Sequence, residues 1–161
     1  MESMSKIEAV LFDLDGTLLD SFPDFLASLE NINIKSSSKK IDESVVRANV
    51  SDGSSKLLKL VFDIDTDDKD FDEHKRNFLN EYERNILMYG NLFLGVSDLL
   101  NFLLDKKIPY GIVTNKPRKY TEIILKKSSL LRQSKVVICC DDGFESKPNP
   151  EGINHACNIL G

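Results

Sequence analysis

Three short apolar runs limit what this chain can fold into more than any other feature: Ile7 to Phe12, interrupted at Glu8, Pro109 to Val113 and Val136 to Cys140. Continuous rather than alternating hydrophobicity, as in Ala9 to Phe12 and the two later runs, suits strands covered on both faces, as in a parallel sheet. Helical periodicity lies between the runs. Val96, Leu99, Leu100, Leu103 and Leu104 share one face before the second run. Tyr120, Ile123, Ile124, Leu130 and Leu131 mark another after it, with Pro117 near its start, where a missing N–H does no harm. Strand and helix in alternation predict an α/β fold with a Rossmann-like parallel sheet core.

Residues 22 to 89 depart from that rhythm. Phe22, Phe25, Leu26 and Leu29, then Val45, Val46, Leu57, Leu58, Leu60 and Val61, then Phe71, Phe78, Tyr82, Ile86 and Tyr89 fit several amphipathic helices. Polar stretches at 36–40 and 63–70 separate them. The acidic run from Asp63 to Asp72 lacks the glycine and terminal glutamate of an EF-hand loop, so it reads as solvated. The segment is expected to form a small helical lobe inserted into the α/β domain.

A net charge of −5 disfavours nucleic acid or an anionic membrane as a main partner, while leaving room for a locally bound phosphate. No apolar run approaches the ~18 to 20 residues needed to cross a bilayer, and MESMSKIEAVLF lacks a signal-peptide pattern. Cys139, Cys140 and Cys157 form no CxxC pair, so they read as reduced core cysteines of a cytoplasmic protein. His74 and His155 stand alone on expected helices, without a second ligand at metal spacing.

Chemistry concentrates at the ends of the apolar runs. Asp13 and Asp15 follow the first, two residues apart, and so project the same way from an extended segment. Gly16 permits the tight bend that follows, in which backbone N–H groups can cradle an anion. Two carboxylates would repel a phosphate unless a cation such as Mg²⁺ lay between them. Thr114 and Asn115 follow the second run with a hydroxyl and an amide suited to phosphate oxygens, just before a helix N-terminus. Lys147 follows the third, in Lys147-Pro148-Asn149-Pro150, where the prolines would hold it in a set direction.

FDLDGTLLDS, VTNKP and SKPNPEG together resemble the first three motifs of the haloacid dehalogenase-like hydrolase superfamily, most nearly its phosphoglycolate phosphatase-like branch. The resemblance spans nearly the whole chain. It implies a phosphatase core of residues 1–20 and 90–161, with a helical cap at 21–89 inserted after the first motif. It further implies Asp13 as the nucleophile forming an aspartyl-phosphate, and Asp15 as the acid and base. Thr114, Asn115, Lys147 and Gly16 would bind the phosphoryl group, and Asp13 with the Asp15 carbonyl would hold Mg²⁺. Within the cap, RANVSDG is similar to a substrate-facing loop, which offers Arg47 and Ser51 to a substrate carboxylate. Leu94-Gly95-Val96 is similar to the return from cap to core.

The third acidic magnesium ligand that the resemblance implies would lie past Gly161. The expectation is therefore a core incomplete at its C-terminus, truncated before the fourth motif, with its activity impaired. The substrate expected is a small phosphorylated metabolite, 2-phosphoglycolate first. A phosphomutase of the same superfamily, an inactive or binding fragment, and a phosphoacceptor receiver domain are the alternatives. The DGT continuation and the 22 to 89 insertion both stand against the receiver domain.

Overall fold

Each apolar run supplies a strand that is shorter than the run itself. The computed structural model describes residues 7–36, 40–50 and 53–161. In chain order the elements are β1 (Val10–Phe12), β2 (Leu19–Asp20), α1 (Phe22–Ser36), α2 (Glu43–Asn49), α3 (Ser54–Phe62), α4 (Phe71–Asn85), β3 (Asn91–Leu92), α5 (Val96–Asp105), β4 (Tyr110–Val113), α6 (Arg118–Lys127), β5 (Val136–Ile138) and α7 (Glu151–Leu160). They divide into two compact units. One holds the residues up to Leu18 and Leu92–Gly161, and the other Leu19–Asn91.

The first unit carries the parallel sheet, in the order β1-β4-β5. Central β4 is buried throughout, while β1 at one edge is half-buried. Leu11, Gly111 and Val136 lie abreast in the register. A Cβ at Gly111 would meet Val136 Cγ1 at 2.5 Å and Leu11 Cδ2 at 2.8 Å, so both neighbours lean over a position only glycine can fill. α7 closes one side of the core with Ala156, packed with Val113, Val136 and Ile138, and with Leu11, Phe144 and Leu160 at the margin.

Helix faces differ in detail from the periodic reading. α5 buries Val96, Leu100 and Leu103, but Leu99 and Leu104 are exposed. α6 stops at Lys127 and does not reach Leu130 and Leu131. Ser128 there is extended, and serine side chains compete with helical hydrogen bonds. Leu131 is still buried, from a separate 3₁₀ turn, Leu131–Gln133. β5 ends at Ile138, before Cys140, because the Cys139 N–H turns to Asp142 Oδ2 at 2.7 Å. The cysteines are free, but only Cys139 is a core residue. Cys157 is exposed on α7, whose buried residues include Gly152 and Ala156.

The second unit packs α1 on α4. Phe25 lies 4.3 Å from the ring of Tyr82 and 5.8 Å from that of Phe78. Asp24 is buried, and its carboxylate accepts the N–H groups of Leu87, Tyr89 and Gly90 at 2.8 to 2.9 Å. Three charge-assisted bonds offset the cost of enclosing that charge and fix the chain where it leaves α4. Asp63 caps α3 in the left-handed conformation, and Lys59 pairs with Asp65 beside it. Among the described residues, no group of three or more His, Cys, Asp or Glu is placed to hold a metal ion. No described helix is long and apolar enough to cross a membrane.

Candidate active site

The carboxyl ends of β1 and β4 and the loop after β5 bring three polar segments together within the first unit. After β1, Leu14 is completely buried, and its carbonyl accepts the N–H of Leu18 at 3.0 Å. Gly16 takes φ +80° in that bend. Burying Leu14 turns its two neighbours, Asp13 and Asp15, to the opposite side, as period-two geometry requires.

Each carboxylate meets its own lysine. Lys147 Nζ donates to Asp13 Oδ1 at 2.7 Å and to the Val113 carbonyl at 2.8 Å. Lys116 Nζ donates to Asp15 Oδ2, also at 2.7 Å. The two pairs differ in enclosure. Side-chain exposure is 26% and 36% for Lys147 and Asp13, against 5% and 12% for Lys116 and Asp15. An ammonium so enclosed keeps its charge cheaply only beside an opposite one.

Thr114 and Asn115 build the wall between them. The Thr114 N–H continues the sheet to the Ile138 carbonyl at 2.9 Å, and its hydroxyl accepts the Lys116 N–H at 3.1 Å. The hydroxyl proton remains to be donated. The Asn115 amide instead clamps the backbone of Lys147. Its Nδ2 donates to the Lys147 carbonyl at 3.0 Å, and its Oδ1 accepts the Lys147 N–H at 2.9 Å. The sequence reading directed that amide at phosphate. The structure directs it at the backbone of the lysine that would bind phosphate.

Below this layer Arg118 pins the loops. Its N–H donates to Asp141 Oδ1 at 2.7 Å, its guanidinium grips both Asp142 oxygens, and it donates to the Val137 carbonyl at 2.8 Å. Burial pushes the Asp142 carboxyl up, but the Arg118 hydrogen bonds, the Cys139 N–H and the Arg118 charge together hold it below the usual carboxylate range. Asp142 in turn raises Arg118. Burial lifts the Cys139 thiol to about 11. Asp141 and Asp142 are thus occupied in holding the start of α6.

Arg47 belongs to the second unit, with its guanidinium 3.8 Å from the centroid of the Phe22 ring and 3.7 Å from Asp20 Oδ2. Ser51 lies outside the described residues. His74 bonds to the Asp70 carbonyl, and His155 packs on Phe144.

The donor set suits one Mg²⁺, which is commonly bound through one or two carboxylates plus water and substrate phosphate. Lys147 approaches Oδ1 of Asp13, and the side chain keeps enough exposure for a cation to reach it. The residue that sequence reasoning missed is Lys116. Beside Pro117 it looks like any surface lysine, and its only signal is parity with Thr114, two positions before it.

The chain is similar in sequence to known phosphatases. A family model described as haloacid dehalogenase-like hydrolase matches residues 10–161. An N-acetylmuramic acid 6-phosphate phosphatase of Pseudomonas putida is 34% identical over 155 residues, covering 96% of this chain and 70% of that protein. A phosphoglycolate phosphatase of Xanthomonas campestris is 35% identical over 153 residues, covering 95% of this chain and 69% of that protein. The crystal structure of a predicted phosphoglycolate phosphatase from Haemophilus somnus 129pt shares the fold, with a TM-score of 0.83 at 24% identity. It covers 99% of this chain and 74% of that one.

Proposed function

Because this chain belongs to the haloacid dehalogenase-like hydrolase family, and so to the phosphoric monoester hydrolases, we propose that it releases phosphate from a small phosphorylated metabolite through an aspartyl-phosphate at Asp13. The observation that carries this reading is the contact of Lys147 Nζ with Asp13 Oδ1 at 2.7 Å, in a loop clamped by Asn115.

In the first step an Asp13 oxygen attacks phosphorus, and the bond from phosphorus to the ester oxygen breaks. Asp15 gives that oxygen its proton, so the product leaves as a neutral alcohol. In the second step water attacks the aspartyl-phosphate, Asp15 takes the proton from the water, and the acyl–phosphate bond breaks to release phosphate. Lys147 offsets charge on the transferring oxygens, the Thr114 hydroxyl donates to one of them, and the N–H groups around Gly16 face another. Mg²⁺, held by the Asp13 carboxylate and the Asp15 carbonyl, would supply charge neutralisation between carboxylate and phosphate.

The relatives' names suggest the substrate class. N-acetylmuramic acid 6-phosphate and 2-phosphoglycolate are both phosphate esters of alcohols that carry a carboxylate. Our reading is a substrate of that kind, with 2-phosphoglycolate and N-acetylmuramic acid 6-phosphate as the two to try first. Arg47 and Ser51 are proposed to take part in choosing it. The test is phosphate release from both compounds with and without Mg²⁺, beside the Asp13→Asn variant. Release that needs Mg²⁺ and disappears in Asp13→Asn supports the reading. Release retained by the variant, or none from either compound, overturns it.

A further inference from the structure

We propose that Lys116 is a positioning residue for the leaving-group step: it fixes the plane of the Asp15 carboxyl so that the carboxyl meets the ester oxygen and not the phosphoryl oxygens. The inference rests on the role proposed above for Asp15 and adds a residue to it.

Three observations carry it. Lys116 is 7% exposed, in a loop where neighbouring Asn115 and Pro117 are both exposed. A lysine is costly to enclose and seldom needed for packing alone. Its ammonium crosses from the loop after β4 to the loop after β1, reaching Asp15 Oδ2 at 2.7 Å with both side chains nearly covered. Its own backbone is held at both ends. The Lys116 N–H donates to Thr114 Oγ1 at 3.1 Å, and Pro117 follows with φ −60° at the entry to α6. The ammonium is thus delivered from a fixed Cα rather than from a mobile surface chain.

The contrast with Lys147 sharpens the role. Lys147 sits at the more open carboxylate, where phosphate would arrive, and contacts Asp13. Lys116 sits at the more enclosed one and contacts Asp15. A carboxyl that must protonate one particular oxygen gains from orientation, since misplacement by a fraction of an ångström weakens proton transfer in the transition state.

Leaving-group dependence separates this role from a merely structural one. p-Nitrophenolate departs without a proton, whereas the alkoxide of 2-phosphoglycolate needs one. kcat/KM for both compounds is measured in wild type, Lys116→Met, Lys116→Arg and Asp13→Asn, each first shown to be folded by circular dichroism. The expected result is that Lys116→Met loses about tenfold or more in kcat/KM on 2-phosphoglycolate relative to its loss on p-nitrophenyl phosphate, within the span of general-acid effects. Lys116→Arg, which keeps the charge, recovers part of the ratio. An equal loss on the two compounds in Lys116→Met overturns the inference, as does no loss on either. If Lys116→Met does not fold, the ratio in Lys116→Arg decides: an unchanged ratio overturns the inference, and a lowered one supports it. Asp13→Asn keeps the two readings apart. If that variant still turns over p-nitrophenyl phosphate, the covalent reading fails; if it is inactive while the Lys116→Met ratio is unchanged, only the inference about Lys116 fails.

Discussion

Removing the Asn115 side chain isolates the loop clamp from the chemistry it serves. Asn115→Ala deletes two hydrogen bonds to the Lys147 backbone, at 3.0 and 2.9 Å, and touches neither carboxylate. A neutral hydrogen bond contributes roughly 0.5 to 1.5 kcal/mol net. Asn115 is exposed, so water replaces the amide in part, and about 1 to 2 kcal/mol of loop ordering is at stake for the pair. At about 1.4 kcal/mol per tenfold, kcat/KM should fall about 5- to 30-fold. Asn115→Asp should be worse. It keeps an acceptor for the Lys147 N–H but turns a carboxylate oxygen toward the Lys147 carbonyl and adds negative charge where phosphate would bind. Lys147→Met gives the scale, with an expected loss of about 10² to 10³, as for removal of one transition-state donor. The assay is p-nitrophenyl phosphate hydrolysis, normalised to folded protein by circular dichroism. If Asn115→Ala stays within twofold of wild type while Lys147→Met is severely impaired, the clamp does not position the lysine and the reasoning is refuted.

Gly111→Ala should lower stability by about 1 to 3 kcal/mol, since its Cβ would lie 2.5 Å from Val136 Cγ1 and strands on both sides must give way; urea unfolding would read it. Asp142 titrates lower in the folded protein, so its stabilisation is complete above the unfolded value of about 3.9 and is lost as the pH falls through the folded one. Asp142→Asn should therefore melt below wild type at pH 7, and the gap should close as the pH is lowered below about 4. A thiol reagent at pH 7 should label Cys157 quickly in the native protein and Cys139 only after unfolding, because Cys139 is buried and its thiol lies near 11; peptide mapping distinguishes them.

Much of the site was readable because its parts obey local rules. Apolar runs mark buried strands, strand ends in parallel sheets collect ligands, and residues two apart on an extended segment face the same way. Those rules place Asp13, Asp15, Thr114 and Lys147 without reference to any partner. What escaped them depends on tertiary pairing. Nothing local separates Lys116 from a solvated lysine until the Asp15 loop lies across from it. Nothing local turns the Asn115 amide to the Lys147 backbone, because that contact joins loops from two different strands. Periodicity overran the end of α6 for a related reason: Leu131 does reach the core, but from a 3₁₀ turn whose apolar signal matches a helical continuation.

The central claim is a covalent bond between Asp13 and phosphate, and trapping tests it most directly. Protein turning over p-nitrophenyl phosphate with Mg²⁺ is quenched in acid, reduced with borohydride, which converts an acyl phosphate to the alcohol, and mapped by mass spectrometry. The account predicts reduction at Asp13 alone, dependent on substrate and absent from Asp13→Asn. Phosphate release with an unmodified Asp13, or with the modification on another side chain, would contradict it.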